Sequence, residues 1–352
     1  MAGDPLGRYA EFPPTTRYVD HAGFAWPVFV GLALLIAAAV CPFVWRVVRS
    51  RPVAAAKKAS ITLPSAGRRG FPWWGWLGFS LTAVAWALAW SRFEWFSALQ
   101  GFTFSPLWFG YILVVNGLTH RRTGSCMLSD RPRFFAALFP VSAFFWWYFE
   151  YLNRFVQNWY YAGVEGFTPL EYFLFASLPF STVLPAVLGT EEYLSSFPRL
   201  SAGLDRLPPL CACWLKRAGG GAGVGAIVGL VGVGVWPDFL FPLLWLAPLV
   251  VVAALQAYIQ GESTVFAGIS RGDWRRVCLC ALAAVVCGFF WEMWNFWSHA
   301  KWIYSVPFVN RFHVFEMPLL GYAGYLPFGL ECAVIGAWVS RWADRGPARG
   351  RA

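Results

Sequence analysis

Apolar runs of the length a bilayer demands, roughly 17–25 residues each, recur along this chain and leave it few ways to fold in water. Nine can be drawn, at about 24–45, 71–90, 102–118, 134–152, 170–188, 218–236, 239–257, 277–295 and 314–338. The chain is 58% hydrophobic and only 13% charged, and its mean hydropathy of +0.51 lies outside the range of soluble globular domains. The segments between runs divide sharply by charge. Segments 46–70, 119–133, 189–217, 258–276 and 339–352 together hold 22 Lys and Arg, whereas the alternate side holds 6. The positive-inside rule then places the N-terminus outside and the C-terminus in the cytoplasm, with a bacterial inner membrane as the expected location. The net charge of +10 follows from the same rule and does not point to nucleic acid. Trp and Tyr, 22 and 13 in number, suit the interfacial belts of a spanning protein. Segment 1–22 carries Asp4, Glu11 and Asp20 and lacks a signal-peptide n-region, so the first run reads as a retained span.

The apolar part is written twice. Residues 145–161 read FWWYFEYLNRFVQNWYY and residues 289–304 read FFWEMWNFWSHAKWIY. Each has Glu-x-x-Asn at the end of an aromatic run (Glu150 with Asn153, Glu292 with Asn295), then Trp-x-Tyr (Trp159 to Tyr161, Trp302 to Tyr304), then a second Glu at the start of the next run (Glu171, Glu316). Both copies begin and end on the basic side, so the repeats run parallel and their twofold axis should follow the membrane normal. The expected class is an all-α, polytopic helix bundle of about nine transmembrane helices, two parallel four-helix repeats plus one N-terminal helix. Its parts are 1–70 (external segment, first helix, basic loop), 71–190 (unit one), 191–217 (cytoplasmic linker with Pro198, Pro208 and Pro209), 218–338 (unit two) and 339–352 (basic tail). Gly221, Gly225 and Gly229 recur every four residues in the sixth run, a pattern that lets a second helix approach closely.

A carboxylate at the centre of a spanning helix costs ~2.5–3.5 kcal/mol on insertion scales, so four of them at matched positions invite a functional reading. Glu150 and Asn153 share a helix face, as do Glu292 and Asn295. All four Glu fall near the external boundary, and a twofold axis can gather them around one cavity, with Asn153 and Asn295 orienting two of them. Arg154, His299, Lys301, Arg311 and His313 lie near in sequence. Glu331, deep in the ninth run without a basic neighbour, is a further candidate. The plainer alternatives are wet headgroup carboxylates, helix-dipole partners at Glu171 and Glu316, and interhelical glue at the Asn pair. A metal reading has two sources, His313/Glu316 spaced i, i+3 and the pairs Cys211/Cys213 and Cys278/Cys280. Unit one has Thr168 in place of His313, and the thiols face a reducing compartment, so no metal is expected. No Walker A, dinucleotide, haem-attachment or nucleophile-elbow motif is present, and no cofactor is expected.

Residues 159–175, WYYAGVEGFTPLEYFLF, resemble the repeat of the small, flavin-independent membrane lycopene cyclases of heterodimeric or fused type. Trp159, Tyr161, Pro169 and Glu171 match in unit one, and Trp302, Tyr304 and Glu316 in unit two. Tyr172 and Met317 stand where that family has a second Glu, and Val314 where it has Pro. Residues 315–331, FEMPLLGYAGYLPFGLE, are similar to uncharacterised bacterial integral membrane proteins. The cyclase resemblance implies acid–base chemistry on an isoprenoid. A protonated carboxyl gives its proton to a double bond, aromatic faces stabilise the cation, and a second carboxylate removes a proton. Glu171 and Glu316 would be the acid and base, with Trp146, Trp147, Trp291 and Trp294 along the lipid tail. Trp159, Trp302 and His313 complete the expected binding set. Three functions therefore stand at this point: an enzyme acting on a lipid-soluble molecule, a parallel-repeat transporter using Glu331 and the outer Glu set, and a non-catalytic scaffold or complex subunit in the bilayer.

Overall fold

The computed structural model describes residues 7–50, 70–210, 212–260 and 265–344. Each apolar run is helical over most of its length. The helices are α1 (Trp26–Arg49), α2 (Trp73–Ser91), α3 (Phe104–Thr123), α4 (Pro132–Val156), α5 (Pro169–Phe180), α6 (Val183–Ser195), α7 (Ala212–Val233), α8 (Leu243–Gln260), α9 (Arg275–Phe296) and α10 (Tyr325–Asp344). Proline marks the start of α1, α4 and α5, where its missing N–H has no helical partner to lose. The stretches Trp26–Arg49, Pro169–Ser195, Arg275–Phe296 and Leu319–Ala343 are long and apolar enough to cross a membrane. The 3-10 segment Glu94–Phe102 and α3, bent by 66°, add a fifth if taken as one span. α2 is rich in Trp, and the apolar parts of α7 and α8 are shorter.

The fifth run is not one straight helix. It breaks at Ser181–Thr182 between α5 and α6. Backbone groups freed inside an apolar layer need partners, and Ser142 of α4 provides them. Its hydroxyl donates to Phe180 O at 2.6 Å and accepts from Leu184 N–H at 3.0 Å. The ninth run also departs from plan, because residues 313–324 form a short hairpin and a 3-10 turn before α10 begins.

α2 packs on α3, α7 on α8, and α9 on α10. In addition, α9 packs on α6, α4 on α10, and α6 meets α10. Leu107, Leu138, Phe149, Leu184, Trp294 and Phe328 belong to one fully buried cluster. The closest helix approach is not at the glycine stripe of the sixth run. A Cβ at Gly221 or Gly225 would meet nothing within 4 Å, and at Gly229 it would meet only Leu243. Tight crossings lie elsewhere: α10 on α9, where a Cβ at Gly329 would run into the backbone carbonyl of Cys280, and α2 on α3. A Cβ at Gly78 would lie 2.8 Å from Gly110 O, and one at Gly110 would lie 2.7 Å from Gly78 O. Cys211 and the basic tail beyond Asp344 fall outside the described residues.

Strands β1 (Trp159–Ala162) and β2 (Lys301–Tyr304) follow α4 and α9 and form an antiparallel ribbon. The N-terminal segment crosses above it. Arg17 N–H donates to Gln157 Oε1 at 2.9 Å, His21 Nδ1 hydrogen-bonds Asp238 Oδ1 at 2.7 Å, and Ala25 N–H donates to Phe308 O at 2.9 Å.

Candidate functional site

The two Trp-x-Tyr segments pair with each other. The register sets Trp159 opposite Tyr304, Tyr160 opposite Ile303, and Tyr161 opposite Trp302. Only the central residues, Tyr160 and Ile303, face their own counterparts; the Trp of each copy lies opposite the Tyr of the other, as a local twofold through the Tyr160–Ile303 pair requires. The Asn of each Glu-x-x-Asn holds the strand that follows it. Asn153 Nδ2 donates to Trp159 O at 2.8 Å, and its Oδ1 accepts from Asn158 N–H at 2.9 Å and Trp159 N–H at 3.4 Å. Asn295 bonds Trp302 in the same way, with Nδ2 to O at 2.8 Å and N–H to Oδ1 at 2.9 Å. These amides supply what a third strand would supply at an open ribbon edge. The sequence led us to expect these amides to orient the carboxylates; they hold the strands instead.

Glu150 and Glu292 are buried, 1% and 0% exposed. Glu150 Oε1 accepts from Trp146 Nε1 (3.0 Å), Trp159 Nε1 (3.1 Å) and the Tyr161 hydroxyl (2.5 Å). Glu292 Oε1 accepts from the hydroxyls of Tyr304 (2.8 Å) and Tyr325 (2.7 Å), and Trp302 Nε1 donates to the Tyr304 oxygen at 2.9 Å. In both residues Oε2 is buried with no hydrogen-bond partner. Indole N–H groups can only donate, so Glu150 Oε1 is committed as an acceptor, whereas the phenols on Glu292 Oε1 can exchange a proton with it in either direction; in both residues Oε2 is the oxygen without a partner.

Around the ribbon lies a cavity of about 490 Å³, within the range of small-molecule sites. Its walls include Trp146, Trp159, Trp245, Trp291 and Trp302, with the phenols of Tyr161, Tyr304 and Tyr325. The break between α5 and α6 contributes Pro179, Phe180 and Val183, and one face of α1 contributes Leu32, Leu35, Ile36 and Ala39. The carboxylates stand behind this wall, each joined to it through phenols.

The four glutamates do not converge. Glu171 is exposed at the first turn of α5, where it closes a capping box with Thr168. Its Oε2 accepts from Thr168 N–H and Oγ1 at 2.8 Å each. Glu316 pairs with Lys301 of β2, and Lys301 itself lines the cavity. His313 is exposed and bonds Asn310. Trp147 turns to the other face of α4, donating to Ser177 Oγ at 2.9 Å, and Trp294 is buried against Trp108 and Trp86. Neither borders the cavity. Glu331, on α10, is buried with neither carboxylate oxygen in a hydrogen bond of normal geometry, and the Leu249 backbone of α8 acts on it. Among the described residues, no three His, Cys, Asp or Glu gather as a metal-holding group.

Two cavity residues have no sequence motif to announce them. Trp245 stacks on Phe149 and packs, tilted, against Trp159 at centroid distances of 5.2 and 5.7 Å. Tyr325 is the second donor to Glu292. The available signal was Gly288, which stands where unit one has Trp146 and so leaves room for a large residue from elsewhere.

No family model matches this sequence, and no curated protein or solved structure shows significant similarity to it.

Proposed function

We propose that this chain is a polytopic membrane protein of two parallel four-helix units, 71–190 and 218–338, with α1 added, a linker at 191–217 and the ribbon on the external side. The self-complementary register of β1 and β2 supports the paired units, as does the packing of α4 on α10 opposite α9 on α6. The Lys/Arg asymmetry supports N-terminus out and C-terminus in the cytoplasm. Reporter fusions that put the 46–70 loop and the 189–217 linker on opposite sides would sink this topology.

Within that frame the ribbon cavity is a site for an unsaturated, isoprenoid-type lipid, and its two carboxylates carry acid–base chemistry. One observation carries this reading: two buried carboxylates, each with one uncommitted oxygen, are joined by phenols to the walls of one aromatic cavity. A proton from the Glu150–Tyr161 pair adds to a C=C bond. The carbocation is held over the faces of Trp159, Trp245 and Trp291 and closes on a second double bond, forming a C–C bond. Loss of a proton from the adjacent carbon to the Glu292–Tyr304–Tyr325 group restores a C=C bond. One proton enters and one leaves, so the product is an isomer of the substrate, and solvent resets the two carboxyls. The cyclase resemblance named Glu171 and Glu316 for these roles. Their capping and ion-pair duties favour Glu150 and Glu292 instead.

The test is incubation of the purified protein in lipid with a linear polyene, read by chromatography and mass. An isomer of unchanged mass is expected, its formation falling about 100-fold or more in Glu150→Gln and Glu292→Gln while the variants remain monodisperse. A second reading, a structural latch in a non-catalytic scaffold, draws on the three hydrogen bonds converging on Glu150 Oε1. No turnover, with both variants losing thermal stability, would favour the latch.

A further inference from the structure

At the opposite end of the bundle from the ribbon lies a second cavity, of about 340 Å³, bounded by α4, α6, α9 and α10 and by the turn before α4. Its polar lining is Arg131, Arg276, Arg341, Glu191, Glu192 and the hydroxyls of Ser195 and Ser340. It sits on the side to which charge asymmetry assigns the cytoplasm. Three guanidiniums and two carboxylates share one hollow, yet they do not all collapse onto one another. Among the described residues, neither Arg131 nor Arg276 forms an ion pair. Arg131 lies over the Phe134 ring at 4.7 Å, and Arg276 reaches the Cys280 thiol. Glu192 is tied to the N–H of Met127 at 3.0 Å, whereas Glu191 accepts no hydrogen bond among the described residues although both guanidiniums act on it electrostatically.

Opposite charges that share a partly enclosed hollow without pairing ordinarily gain by closing the gap. The scaffold holds these apart, because Arg131 is at the start of α4, Arg276 is in the first turn of α9, and Glu191 is on α6. The complement of such a site carries both signs a few ångströms apart. We propose that this cavity binds the phosphoethanolamine headgroup of a cytoplasmic-leaflet phospholipid. The phosphodiester sits between Arg131 and Arg276, since guanidinium forks match phosphate oxygens, and the primary ammonium donates to Glu191. The apolar part of the lining, Leu188, Ala333, Gly336 and Ala337, packs against the glycerol end of the headgroup. This site is separate from the ribbon cavity and does not depend on any chemistry there.

The experiment reconstitutes the full chain into nanodiscs of phosphatidylcholine doped with phosphatidylethanolamine or phosphatidylglycerol, then extracts it in detergent and measures co-purifying lipid by native mass spectrometry. One phosphatidylethanolamine per chain is expected, retained about tenfold better than either competitor. Phosphatidylcholine has no N–H to give Glu191, and phosphatidylglycerol has no cation. Arg131→Gln with Arg276→Gln should abolish retention. Glu191→Gln should leave phosphate binding intact but erase the preference over phosphatidylcholine, and it reads the proposal by itself if the double variant does not fold. Equal retention of all three lipids, or a preference for phosphatidylglycerol, overturns the proposal. So does displacement of the lipid by submillimolar soluble O-phosphoethanolamine, which would make the ligand a soluble one.

Discussion

Glu150 and Glu292 occupy the same place in two copies of one motif, yet they are held differently. Glu150 takes two indole donors and one phenol, all from its own unit. Glu292 takes two phenols, one of them Tyr325 at the start of α10, and its indole counterpart Trp302 is displaced onto Tyr304. The cause is one turn earlier in the helix. Unit one has Trp146 there, packed on Phe180 at 6.0 Å. Unit two has Gly288, and the Tyr325 ring occupies the vacated space, so close that a Cβ at Gly288 would lie 2.4 Å from it. A large residue on the helix with a plain phenyl beyond it has become no side chain on the helix with a phenol beyond it. The phenol moves into the space the missing indole leaves, so the donor changes while the interior stays filled. The result is a site with two unlike ends, one indole-rich and one phenol-rich, and the proposed reaction would give its two carboxyls different duties.

The largest expected effects come from removing the amides that fix the ribbon. Asn153→Ala strips partners from two buried N–H groups and one carbonyl, and Asn295→Ala from one of each. At roughly 1 kcal/mol or more per buried group left unsatisfied, about 3 kcal/mol is expected at Asn153 and about 2 kcal/mol at Asn295. Thermal or denaturant unfolding in detergent reads both. A larger loss at Asn295 would mean that β2, and not β1, anchors the ribbon.

Next is the exchange at Gly288. Gly288→Ala drives a methyl into the Tyr325 ring, with an overpacking cost of about 1–3 kcal/mol and loss of the Tyr325 bond to Glu292. Trp146→Phe deletes one of three donors to Glu150 and leaves the rest in place. If the phenol-rich end depends on Tyr325 filling that space, the glycine variant should lose more stability and more turnover than the tryptophan variant. Equal losses would show that the two ends are interchangeable and that the difference in donors carries no function.

How much of this was legible in sequence follows from what each signal depends on. The apolar runs became helices because run length and hydrophobicity are local properties. The break in the fifth run was hidden, since it depends on Ser142, some 40 positions earlier, satisfying the freed backbone. Glu150, Asn153 and Trp159 could be singled out because they recur as Glu292, Asn295 and Trp302. What the Asn side chains do could not be read, because spacing puts Glu and Asn on one face without saying that the amide turns to a strand six residues on. The duty of Glu171 is obscured for a similar reason. Thr168 to Glu171 is a capping box by spacing alone, and the recurrence of a second Glu at Glu316 outweighed that local signal. Tyr325 is visible only as the answer to a missing side chain at Gly288.

The two second-position glutamates give the smallest expected effects and the sharpest contrast in kind. Glu171 acts through hydrogen bonds to the Thr168 N–H and hydroxyl at a helix start, whereas Glu316 acts through charge on Lys301. Thr168→Ala removes half of the capping box and should cost about 1 kcal/mol, with little response to salt because hydrogen bonds to the backbone are short-ranged. Lys301→Met should cost a similar ~1 kcal/mol at low ionic strength, since the pair is only partly exposed, 27% and 19%. That cost should shrink as salt approaches 1 M, where the screening length falls to about 3 Å. Unfolding both variants across a salt series separates the mechanisms. A Thr168→Ala cost that falls with salt, or a Lys301→Met cost that does not, would show that the two glutamates do the same job after all, and the case for reassigning the chemistry to Glu150 and Glu292 would lose the distinction on which it partly rests.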